Sequence, residues 1–104
     1  MKDIFIYDER LGIAIPHLEQ DFSTYPSSEQ NAILMRWEEI RGIIPERIKE
    51  IEGMIEQTLM QLDQEDNFEV SCALNNEMAE YASIINDLWI WYRVDQGIVS
   101  KNHL

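Results

Sequence analysis

Basic residues are scarce in this 104-residue chain: eight lysines and arginines stand against twenty aspartates and glutamates, for a formal charge of −12. A field of that sign repels a phosphate backbone, which argues against ordinary nucleic-acid binding. Cysteine occurs once, at Cys72. An internal disulfide is excluded, and a reducing, cytoplasmic setting is the expectation. Glycine occurs four times and never in a phosphate-cradling run, and no nucleophile elbow is present. The two histidines, His17 and His103, lie far apart, and HExxH, CxxC and Glu-x-x-His patterns are all missing. These gaps leave no basis for a metal, a cofactor or an enzymatic activity. Nor is there an apolar run approaching the roughly 20 residues needed to cross a bilayer, so nothing is expected to target or anchor the chain.

What is present is helical language after a different beginning. With 45% apolar content the chain suits one domain with a core of its own. Residues 1–26 hold two of the three prolines and two short apolar runs, Ile4 to Tyr7 and Ile13 to Ile15, with Gly12 available for a positive-φ turn position. They predict an extended arm or β-hairpin, marginal unless it packs on the helices. Residues 17–26 have no clean period and read as loop, with at most a turn of helix.

From Ser27 on, three helices are expected. The first, about 28–41, is capped by Ser27 or Ser28 and carries Ile33, Trp37 and Ile40 on one face. Gly42 and Pro45 then favour a break over a kink. A second helix, about 45–64, places Ile48, Ile51, Ile55, Leu59 and Leu62 on one stripe. The polar residues 63–67 connect it to a third, about 67–94, capped by Asn67 or Asp66 and ended near Gly97. The fold class expected is all-α, an antiparallel bundle of about three helices with the N-terminal arm or hairpin. It divides into 1–26 packed on the bundle, a bundle over 27–96 and a tail over 97–104.

The third helix carries the functional expectation. Leu74, Met78, Tyr81, Ile85, Leu88 and Tyr92 follow spacings of four and three, a heptad seam for a partner helix. Ala82 and Trp89 flank the seam on one side, Ile84 and Trp91 on the other, and Ile90 points toward the polar arc. An apolar band about half the cylinder wide suggests two partners. The tryptophans are therefore expected either in a core against residues 1–26 or at an interface with another chain. The interface residues are taken as Leu74, Met78, Tyr81, Ile85, Leu88, Trp89, Trp91 and Tyr92, with homodimerisation as the preferred reading because so few helices are hard pressed to cover three tryptophans and four tyrosines.

Residues 55–85 resemble the UVR motif, the helical hairpin of excision-repair nuclease subunits and some bacterial stress-response adaptors. The likeness rests on an amphipathic helix with Leu59 and Leu62, a short connection, Phe68-Glu69, small residues at Ser71 and Cys72, then Leu74 and Met78. It covers roughly a third of the chain, and the motif's Arg-Asp pair is replaced by Asn75-Asn76. The resemblance implies pairing with another helical hairpin and carries over no nuclease or repair activity. Together these readings describe a small acidic cytoplasmic protein that works by binding protein, itself or another, with no nucleic acid and no membrane as partner. The alternative is an acidic inhibitor that imitates nucleic acid in the basic groove of its target.

Overall fold

A computed structural model describes residues 4–94. The N-terminal segment forms an antiparallel hairpin of β1, Phe5–Asp8, and β2, Ile13–Pro16, in the register Phe5 to Pro16 and Asp8 to Ile13. The β-rich runs supply the strands, and Asp8 builds the turn. Its carboxylate accepts a bond from the Leu11 N–H at 2.9 Å and its carbonyl one from the Gly12 N–H at 2.7 Å. Gly12 adopts φ +76°, the left-handed region that costs other residues about 1–2 kcal/mol. It is also the place where the hairpin backbone passes the Arg47 guanidinium so closely that a Cβ would overlap it.

A loop with a short 3-10 turn at Phe22–Thr24 leads to α1, Ser27–Asp63. Its cap differs from the serine expected. Pro26 occupies the cap position without a side-chain bond, and the Gln30 side chain reaches back to the Tyr25 carbonyl at 2.8 Å. A connection of four residues then turns the chain into α2, Phe68–Tyr92, where Asn67 caps by accepting from the Val70 N–H at 3.1 Å.

The expected three-helix bundle is therefore corrected to a pair of long antiparallel helices with a β-hairpin laid on one end. The expected helices at 28–41 and 45–64 are one helix of 37 residues with Pro45 inside it. Proline removes the N–H that would bond the Arg41 carbonyl, a local penalty of about 3 kcal/mol in a helix interior. Against it stands a stripe that runs unbroken through the site: Ile33, Trp37, Ile40, Ile44, Ile48 and Ile51 are all buried. Residues on both sides of Pro45 meet the same hairpin and the same α2 in one cluster. A break would carry half the stripe out of register, and burial of a single isoleucine is worth about 1.5–3 kcal/mol. Gly42 faces open space and terminates nothing. α2 ends at Tyr92 with Arg93 as its C-cap, short of the end expected near Gly97; Gly97 itself and the tail over 97–104 lie outside the described residues.

The core is concentrated at one end. Leu11, at the hairpin tip, and Ile13 join Trp37, Ile40, Ile44, Ile48, Ile84 and Leu88. A smaller cluster of Ile4, Phe22 and Ile33 seals the loop against the start of α1. Toward the far end the seam thins to Thr58, whose hydroxyl is satisfied by the Met54 carbonyl at 2.9 Å, and Leu74. The whole measures 60 × 21 × 21 Å. Among the described residues no helix is long and apolar enough to cross a membrane.

Candidate interaction surface

The β-hairpin is fixed to the helices by two arginines on either side of its turn. Arg10 spreads its guanidinium over α2, donating to Glu80 at 2.9 Å, Ser83 at 2.8 Å and Asp87 at 2.8 Å. The bonds to the two carboxylates, Glu80 first and then Asp87, push its already high pKa further up. Arg47 on α1 donates to the Leu11 carbonyl at 2.9 Å and pairs with Glu50 at 3.1 Å. Between them Leu11 drops into the crevice between the helices. The partners of Arg10 share one side of α2, and the hairpin consequently covers one side of the helical pair at its proximal end.

Each expected interface residue can now be placed. Leu74 and Leu88 are buried in the seam, and Met78, Tyr81, Ile85, Trp91 and Tyr92 are half-buried. The Tyr81 hydroxyl donates to Glu77 at 2.9 Å, and this bond, ahead of desolvation, raises the phenol above its ordinary pKa. The two tryptophans part company. Trp91 meets Trp37 of α1 edge-on, with ring centres 5.6 Å apart, and Trp37 is itself fully buried with its indole N–H donating to the Val94 carbonyl. Trp89 stacks edge-on with Tyr92 at 5.5 Å yet stays 38% exposed. Arg41 locks this end, lying 5.0 Å over the Tyr92 ring and donating to the Tyr92 carbonyl at 2.8 Å.

Among the described residues, nothing covers the other side of the helical pair. At about 100° per residue, Ser71, Met78, Ala82 and Trp89 rotate about 40–80° from the Leu74 seam in one sense, whereas Ile84, Trp91 and the Arg10 partners rotate in the other. On α1 the same sense from Ile51 takes Ile55 by about 40° and Leu59 by about 80°. In two antiparallel helices that face each other, equal senses of rotation lead to the same side. The side opposite the β-hairpin therefore carries Ile55, Leu59, Met78, Ala82, Ile85 and Trp89, of which Leu59 is 46% exposed and Trp89 38%. Phe68, at the first turn of α2, is 79% exposed. Large apolar groups gathered on one exposed side of a two-helix layer make it the candidate contact surface.

Charge divides this surface lengthwise. From Glu50 to Tyr92 the sequence contains ten acidic residues and no lysine, arginine or histidine. Arg41 stands at the proximal end, and Glu52, Glu56 and Asp63 rotate about 100–140° from the Ile51 seam, forming a rim beside Leu59; all three are exposed. Among the described residues no group of three or more metal-ligating side chains gathers. Spacing along α2 places Leu74 and Leu88, which are buried, but sets Ile84 beside the seam, where the structure buries it in the core. The α1 half of the surface and the Arg10 clasp were not legible in the sequence, although an isolated arginine in a hairpin turn of so acidic a chain is a signal that could have pointed to the clasp. Comparison with protein-family models, curated proteins and solved structures finds no match.

Proposed function

We propose that the protein is a non-enzymatic interaction module that pairs with a second copy of itself through the proximal part of the uncovered face, around Ala82, Ile85, Trp89 and Tyr92. The observation that carries this reading is the half-exposed Trp89 on the side the β-hairpin leaves open. A two-helix layer buries only one side of each helix, and a second identical layer set against it makes a four-helix arrangement with the apolar strips inside. The resemblance of residues 55–85 to a hairpin that pairs with other hairpins points the same way. An exposed lone thiol at Cys72 suits a reducing cytoplasmic setting.

Sedimentation equilibrium over a concentration series tests this directly. The native chain is expected as a dimer and Trp89→Glu as a monomer with unchanged helical circular dichroism. A native chain that stays monomeric at high micromolar concentration would sink the reading. Trp91 is unsuitable for the test, because its ring belongs to the packing on Trp37.

A second reading, imitation of nucleic acid for a basic protein, is favoured by the cation-free stretch from 50 to 92. It predicts binding to basic surfaces that depends on salt alone and ignores apolar substitutions.

A further inference from the structure

The distal part of the uncovered face differs from the proximal part in both packing and charge. Its seam holds few buried residues, and Leu59 and Phe68 stand 46% and 79% exposed. Ile55, Leu62 and Met78 are half-buried between and beside them. From Glu52 to Asp63 the helix rises about 17 Å, or three turns, which matches the apolar stripe of a short partner helix with anchors at i, i+3, i+4 and i+7. Along one flank run Glu52, Glu56 and Asp63, and the opposite flank on α2 is uncharged at Ser71, Asn75 and Ala79. Like-charge juxtaposition disfavours a second copy of the chain at this end, since the copy would bring the same three carboxylates against a single nearby cation, Lys49, one turn before Glu52.

From this combination we propose that the distal half of the uncovered face is a docking groove for a basic amphipathic helix of a partner protein. The partner's apolar stripe covers Ile55, Leu59 and Met78, and its lysines or arginines lie over the Glu52–Glu56–Asp63 flank. The apolar strip provides the contact area, and the one-sided acidic rim sets which way round the partner helix lies. The groove does not require the proximal dimer. A dimer built at the Trp89 end would carry two such grooves, one on each arm.

The probe is a fluorescein-labelled synthetic helix of about 18 residues with leucine at i, i+3, i+4 and i+7 and lysine elsewhere. Its anisotropy is measured against the full chain at about 0.15 M salt. Two control peptides accompany it, one with the same composition scrambled out of helical period and one with glutamate in place of lysine. Saturable binding of the Leu/Lys helix is expected, with neither control binding within tenfold of it. Leu59→Ser and Phe68→Ser, both at exposed positions, should each weaken it at least fivefold without altering the melting temperature. Glu52→Gln with Glu56→Gln should weaken it and flatten its salt dependence. Equal binding of the scrambled peptide would mean attraction by charge alone and would overturn the groove, as would indifference to Leu59→Ser. Trp89→Glu separates the two proposals: loss of the dimer with the peptide still bound supports the distal placement, and loss of peptide binding with Trp89→Glu but not with Leu59→Ser refutes it.

Discussion

Gly12 shows how much a single residue decides in a small fold. Two independent demands meet there, a left-handed backbone and the absence of a Cβ against Arg47. Alanine has to satisfy the first at about 1–2 kcal/mol and can satisfy the second only by displacing the guanidinium that holds the Leu11 carbonyl. Gly12→Ala should therefore lower stability in urea denaturation by about 2 kcal/mol or more, with hairpin amides losing protection first. The positive φ could be read from the sequence, because a glycine between two β-rich runs invites a turn. The close approach could not, since Arg47 lies 35 positions away in the chain and nothing local pairs the two. Much the same holds for Trp89 and Trp91. Helical spacing separates them to opposite sides of the seam, yet only the position of Trp37 shows that Trp91 is the covered one.

At the scale of elements, α1 is where local and global preferences collide. Gly42, Ile44 and Pro45 make a reasonable stop signal, and the chain runs straight through it because the isoleucines on either side share one core. Pro45 is tolerated here at the cost of one backbone hydrogen bond. Replacing it with alanine restores a donor for the Arg41 carbonyl and removes the ring clash. Set against this is the greater freedom alanine gives the unfolded chain, about 0.4–1 kcal/mol. The net expectation for Pro45→Ala is a stabilisation of about 2 kcal/mol, seen as a higher melting temperature with unchanged helical content. A drop in stability would show that the proline sets a bend the packing needs. The β-hairpin and α2 posed no such conflict: β-rich runs, a glycine turn, the Asn67 cap and the seam from Leu74 to Tyr92 agree with their surroundings, and these elements were legible at nearly their observed bounds.

Taken whole, the molecule is a rod with a well-packed end and a sparse one. The β-hairpin, Trp37 and the isoleucines of α1 consolidate the proximal end, and the distal end relies on Thr58, Leu74 and half-buried neighbours. Local opening free energy follows the density of buried apolar contacts. Native-state hydrogen exchange should accordingly show amides of residues 40–51 and 84–92 protected at least about tenfold more than those of 53–62 and 69–76. Uniform protection along both helices would show that something other than this intrachain packing, such as a covering partner, stabilises the distal arm. The expectation joins the two functional proposals. A surface that is sparsely packed, apolar and acidic when alone is one whose stability rises when a complementary helix covers it.

Composition and periodicity by themselves determined that this protein is acidic, mostly helical, opened by a β-rich arm and furnished with an α2 whose apolar band spans about half the cylinder. These are properties of spacing and side-chain type, which survive any arrangement of the elements. Only the tertiary structure decided that two helices stand where three were expected, that Arg10 and Leu11 bring the hairpin onto one side of the pair, and that no other described residue covers the opposite side. Those outcomes depend on residues remote in sequence meeting in space. A stop signal at Gly42 and Pro45 is local, and the core that overrides it is assembled from Leu11, Ile44 and Leu88, which no window of the sequence brings together.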